Sequence, residues 1–208
     1  MKPYKLPFRE ATAEFFEKKS HFIGHIKPIT NEDEAKAFIQ SIREKHKEAS
    51  HNVYAYRLKA NEIYRHNDDD EPSGTAGMPL INTFLKQDIY DFCCVATRYY
   101  GGIPLGAGGL TRAYARCGTV ALEAAGIGVM RALLNCSVTL PYPLYESTKR
   151  ILIAENAEIT TENFSAEVEI NFSVLSESVT ELQNKITELT AGTGKIEKVG
   201  MMYAAYIH

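Results

Sequence analysis

Apolar and polar positions alternate twice near the start of the chain, over Ala11–Glu17 and His21–Ile29, with Lys18-Lys19-Ser20 between the two runs. Two period-two runs parted by so short a polar break predict a β-hairpin. Asn31 then stands three residues before Glu34, and Ala35, Phe38, Ile39, Ile42 and His46 follow at helical spacing, which predicts a capped amphipathic helix to about Lys47. Val53–Leu58 and Glu62–His66 read as short strands, and Pro79–Gln87 as a helix. From Ile89 to Thr97 both faces are apolar, Ile89, Cys93 and Val95 on one and Phe92, Cys94 and Ala96 on the other. A strand covered on both sides has that pattern. Leu110, Tyr114, Cys117, Ala121 and Ala124 mark the next helix.

Gly126-Ile127-Gly128 closes that helix and divides the chain into an expected N-terminal domain, 1–128, and a C-terminal domain, 129–208. The pattern then changes. Leu134, Cys136, Val138 and Leu140 alternate as a strand; Leu144, Thr148, Ile151 and Leu152 suit a helix; Glu158–Asn163 reads as a strand. Ala166, Val168, Ile170, Phe172 and Val174 alternate again opposite Glu167, Glu169, Asn171 and Ser173, and Val179, Leu182, Ile186 and Leu189 recur as a helix before a last strand after Gly194. The order βαββαβ is that of the ferredoxin-like split motif, so the expected fold class is α+β in two domains.

Length and charge sharpen this picture. A chain of 208 residues can bury a core in one domain or two without covalent staples. Its net charge of −3 hides an asymmetry, because residues 1–131 hold 18 Lys and Arg against 16 Asp and Glu, whereas 132–208 hold 5 against 10. A polyanion favours the first part. Cys93, Cys94, Cys117 and Cys136 fall mostly in apolar patterned segments, which suits free buried thiols and a reducing cytoplasm, and neither a secretory leader nor a spanning helix is expected.

Two segments carry candidate chemistry. In Arg98–Arg112, five of fourteen glycines fall within nine residues: Gly101, Gly102, Gly106, Gly108 and Gly109. They lie between a strand and a helix, where backbone N–H groups and the helix dipole cradle anions, and Arg98 and Arg112 flank them. A tight strand-to-helix connection is the plainer use of such a loop, but one or two glycines suffice for that. Tyr99 and Tyr100 are candidates to stack on a base or to be buried. Just upstream, Asp68-Asp69-Asp70-Glu71-Pro72-Ser73-Gly74-Thr75-Ala76-Gly77 joins an acidic cluster to turn residues. Its carboxylates are hard-cation ligands, yet consecutive ones do not converge on one ion in an extended chain, so turn and capping roles rank ahead and neither metal nor cofactor is expected. His51 and His66 flank strands, and each reads as an acid/base candidate or as a hydrogen-bonded structural residue. No G-x-S-x-G elbow or local Cys/His signature marks a nucleophile.

Several strings together resemble the IMPACT/YigZ family: His51-Asn52 with Tyr54-Ala55-Tyr56, Asp68-Asp69 with Glu71–Gly77, Thr97–Gly102, and Leu105-Gly106-Ala107-Gly108-Gly109-Leu110. The resemblance covers nearly the whole chain. It implies an N-terminal α/β sandwich of the type shared by ribosomal proteins and elongation factor G, and a C-terminal ferredoxin-like domain resembling that factor's last one. It also implies a link to translation, through eukaryotic relatives that regulate initiation. Asp70 stands where many members have Gly, and Pro104 where many have Lys, which adds a negative charge near one loop and removes a positive one from the other.

The expected function is a cytoplasmic, non-catalytic regulator that binds RNA, ribosome or a translation-associated protein through His51, Asp69, Glu71, Ser73, Gly74, Thr75 and the Arg98–Arg112 loop. Arg98 and Arg112 are expected on phosphates. An enzyme acting on a nucleotide or phosphorylated metabolite, with Asp69 and Glu71 as metal or acid/base groups, is the alternative, and a pure protein-interaction module is a third.

Overall fold

A computed structural model describes residues 2–60 and 62–207, and the chain forms two compact units, one built mainly on Tyr4–Met130 and the other on Arg131–Ala204. In the first, a short strand β1 (Tyr4–Pro7) precedes the hairpin of β2 (Ala11–Glu17) and β3 (Ser20–Pro28). The hairpin turn is two residues, Lys18 and Lys19, at φ +45° and +68°. Both occupy the left-handed region, as a turn matched to strand twist requires. Helix α1 (Glu32–Lys45) begins as its sequence predicts: the Asn31 side chain accepts from the Glu34 N–H at 2.9 Å, and the Glu34 carboxylate accepts from the Thr30 N–H at 2.8 Å. Strands β4 (His51–Leu58) and β5 (Ile63–Asn67), helix α2 (Gly77–Leu85), strand β6 (Phe92–Tyr99) and helix α3 (Ala107–Ala125) follow.

The five strands order as β2-β3-β6-β4-β5, all neighbours antiparallel, so β6 is central. Its side chains serve two cores. Cys93 and Val95 pack with Phe38, Ile39 and Ile42 of α1, whereas Phe92, Cys94 and Ala96 pack with Leu80, Ile81 and Phe84 of α2 and Tyr114, Cys117 and Ala121 of α3. The sandwich is thus helix, sheet, helices. α3 can lie close because Gly24 faces it: a Cβ there would stand 2.7 Å from the Cys117 carbonyl. Two details depart from the sequence pattern. Ile89 precedes the central strand, bridging to Lys5 of β1 and packing in the α2/α3 core, and β1 itself has too little alternation to be read from four residues.

The second unit begins within strand β7 (Ile127–Leu140), which starts directly after Gly126 rather than after a three-residue turn. Helix α4 (Tyr145–Ala154), strands β8 (Glu158–Phe164) and β9 (Val168–Leu175), helix α5 (Val179–Leu189) and strand β10 (Ile196–Ile207) complete βαββαβ. β7 lies between β10 and β9, with β8 beyond β9. That is the ferredoxin-like order, first strand beside third and fourth. Leu152, Leu182 and Ile186 of the helices cover Val138, Leu140, Ile170 and Phe172 of the sheet.

Candidate functional site

The acidic segment is used almost entirely to hold its own loop. Asp68 accepts from the backbone N–H groups of Gly74, Ala76 and Gly77 at 2.8, 3.1 and 2.7 Å, and so caps the start of α2. Burial alone would push its carboxyl upward, but these three donors outweigh burial and hold it below the usual carboxylate range. Asp69 accepts from Arg43 at 2.5 Å and from the Asn52 N–H at 2.6 Å, while its carbonyl meets His51 Nδ1 at 2.7 Å. Asp70 is exposed at φ +66°, a left-handed conformation that glycine adopts at less cost than aspartate. Thr75 is buried with its hydroxyl on the Pro72 carbonyl at 2.6 Å, and Ser73 and Gly74 are exposed. The carboxylates diverge, and among the described residues no three His, Cys, Asp or Glu side chains are grouped to hold a metal ion.

Glu71 is the exception, since it turns inward. One carboxylate oxygen, Oε1, accepts from Arg98 Nη1 at 2.6 Å and from the Tyr114 hydroxyl at 2.7 Å, with His51 Nε2 at 3.7 Å. Arg98 is only 4% exposed; its Nη2 reaches Ser20 Oγ at 3.3 Å, and that oxygen also accepts from the Gly101 N–H at 3.4 Å. The cluster therefore ties together the hairpin, the acidic loop, the central strand and α3. His51 must carry its proton on Nδ1 to meet the Asp69 carbonyl, which leaves Nε2 toward Glu71. Burial, with Glu71 beside it, pushes the Tyr114 phenol far up, so it remains a donor. The sequence pattern assigns Tyr114 only to a helix's apolar face; nothing in the spacing marks its hydroxyl.

Arg98 consequently neutralises Glu71 and does not stand free for a phosphate, because its strand position points it into the α2/α3 core. Glu71, expected as a metal or acid/base group, is the other half of that pair. Tyr99 gives its hydroxyl to a 2.9 Å hydrogen bond with His46 Nδ1, and only Tyr100 is well exposed, its ring 5.3 Å from the Arg98 guanidinium.

The glycine loop divides by task. Gly101 is needed for approach: a Cβ there would fall 2.0 Å from the Lys19 carbonyl oxygen. Gly102 and Gly106 have φ of +81° and +71° with open space around them. Gly106 precedes α3 without any side-chain cap, so the first N–H groups of the helix, at Ala107, Gly108 and Gly109, lack carbonyl partners within it. Beside them opens a cleft of about 190 Å³ lined by Glu17, Lys18, Leu105, Gly109, Arg112 and Arg116 among others. Arg112 is exposed there, and Arg116 lies 3.9 Å from Glu17. Lys18 and Arg116, which sequence reasoning missed, come together only through the fold. Gly74 lines a separate groove between α2 and α3, of about 570 Å³, with Met78, Asn82 and Thr111.

Fold and site define a two-domain α+β protein whose first domain presents an uncapped helix N-terminus behind a glycine loop. The Impact N-terminal domain matches residues 18–122 and a domain of unknown function (DUF1949) matches residues 138–193, so the chain belongs to the IMPACT family. It is 35% identical to IMPACT family member YvyE of Bacillus subtilis, over 89% of this chain and 86% of that one, and 28% identical to YigZ of Escherichia coli, over 93% and 96%. Protein IMPACT homolog of Dictyostelium discoideum shares 37% identity over 43% of this chain and 27% of its own. A crystal structure described as a hypothetical protein superposes with a TM-score of 0.61 at 27% identity, covering 96% of this chain and 98% of that one.

Proposed function

We propose that this chain is a non-catalytic, translation-linked regulator whose N-terminal unit binds RNA, alone or within the ribosome. The observation that carries the reading is the cleft at the start of α3, where the first backbone N–H groups of a helix without a side-chain cap lie beside Lys18, Arg112 and Arg116, with Glu17 as the one carboxylate in the lining. Helix N-termini and guanidinium groups are both phosphate-binding chemistry. The Glu71 cluster acts at one remove, holding Ser20 and Gly101 and so the hairpin against the loop. The enzyme reading loses support here, since Asp69 and Glu71 are both engaged in internal ion pairs. Four unpaired cysteines, all buried, suit a reducing cytoplasm. Among the described residues no helix is long and apolar enough to cross a membrane.

The test is the salt dependence of binding to an unstructured RNA 15-mer. Arg112→Ala with Arg116→Ala should weaken binding across sequences, and each lost phosphate contact should lower the slope of log K against log salt by about 0.7 to 1. An unchanged slope in the double variant would remove the cradle from the interface.

A further inference from the structure

On the α1 side of the sheet, at the end that the helix does not cover, three rings stand in a row across three strands. Phe16 of β2 is paired directly with His21 of β3, and His21 with Tyr99 of β6. The Phe16 and His21 rings are 4.4 Å apart at an interplanar angle of 8°, and His21 and Tyr99 6.1 Å apart at 25°. The row is fixed from beneath. Tyr99 is hydrogen-bonded to His46 at the end of α1, and His21 Nε2 meets Glu14 at 2.9 Å. Phe16, the outermost ring, is 68% exposed, the most open aromatic side chain among the described residues of this unit. One of its faces is already stacked and the other looks outward. After Glu17, whose carboxylate lies 3.9 Å from Arg116, the hairpin turn carries Lys18 and Lys19, both exposed.

Taken as the interior of a stack, this arrangement lacks its next member. A planar apolar ring with one free face, held by a preformed ladder and flanked by two cations, matches an unpaired nucleobase with its phosphates. A duplex does not fit, because its bases already stack on each other and present only edges. Lysine as a point charge recognises the backbone without reading a base, so the site is tolerant of sequence. We propose that Phe16, backed by His21 and Tyr99, is a stacking platform for an unpaired base of single-stranded RNA, with Lys18 and Lys19 on the adjoining phosphates. The inference rests on the RNA-binding reading, but its residues are distinct from Arg112 and Arg116, and Lys18 joins the two places.

The chain has no tryptophan, so Phe16→Trp installs a single fluorophore at the platform. Titration of that variant with an unstructured RNA 15-mer should quench its emission with the same midpoint as binding measured by anisotropy of labelled RNA. Phe16→Ala should weaken 15-mer binding about tenfold while leaving the salt slope unchanged, since stacking alone is lost. The wild-type chain should prefer the single strand to an RNA duplex of equal length. Phe16 is too exposed for either variant to disturb folding. Unquenched tryptophan at saturating RNA, Phe16→Ala binding within twofold of wild type, or a preference for the duplex would each overturn the platform. If Arg112→Ala with Arg116→Ala lowers the slope while Phe16→Ala changes nothing, only the platform falls; if the wild-type chain binds no RNA, both readings fall.

Discussion

Glu71 is a carboxylate that the chain buries and then compensates twice, with Arg98 and with the Tyr114 hydroxyl. Such a pair adds little stability relative to apolar residues of the same volume, yet breaking it leaves a buried charge alone. Glu71→Gln should therefore destabilise the N-terminal unit by about 3 to 5 kcal/mol in urea denaturation, and adding Arg98→Met should restore a large part of the loss. A loss under about 1 kcal/mol would mean that Arg98 finds water or another partner. His25 makes an opposite demand. Burial, with His46 and Lys45 nearby, pushes its imidazole down to about 4, and its Nε2 is buried without a partner. A group whose folded value lies below its unfolded one favours the fold above the unfolded value, near 6.5, and loses that contribution as pH falls toward 4. Between pH 7 and pH 4 the wild-type chain should lose up to about 3 kcal/mol more than His25→Gln. Parallel stability curves for the two would refute the assignment.

Among elements, the five loop glycines separate by what each replaces. Gly101→Ala sets a Cβ into the Lys19 backbone, so the hairpin turn and the loop must part, whereas Gly102→Ala meets open space and only the cost of a positive φ. The first should destabilise by about 1 to 3 kcal/mol and also weaken RNA binding; the second should cost about 1 kcal/mol and leave binding intact. Equal effects on binding would dissociate the hairpin from the function. The periodicities that predict α1, the hairpin and the βαββαβ order were legible because each runs for several residues and meets one core face. The Glu71 cluster was not. Its five side chains come from the hairpin, β4, the acidic loop, β6 and α3, separated by up to 94 positions from Ser20 to Tyr114, and a buried arginine carries the same letter as a phosphate-binding one. The signal that was available is the strand register: Arg98 stands in line with the core residues Ala96 and Cys94, two and four positions before it.

At the scale of the whole chain, we propose that the two units fold separately. Arg131–Ala204 contains six basic and ten acidic residues and its own apolar core, in which Leu152, Ile170, Leu182 and Ile186 are fully buried. A fragment of about 74 residues is near the lower limit for a core without staples, so a modest but cooperative transition is the expectation. Calorimetry of the fragment should give a single transition, with far-ultraviolet dichroism of a mixed α/β domain. Its acidic balance and the Glu169 side chain on its sheet repel phosphate, so it should not bind the RNA 15-mer at physiological salt, while residues 1–130 should retain the binding of the full chain. If the fragment bound RNA as tightly as the full chain and residues 1–130 did not, the functional face would lie on the ferredoxin-like unit, and the uncapped start of α3 would be no more than a tight connection.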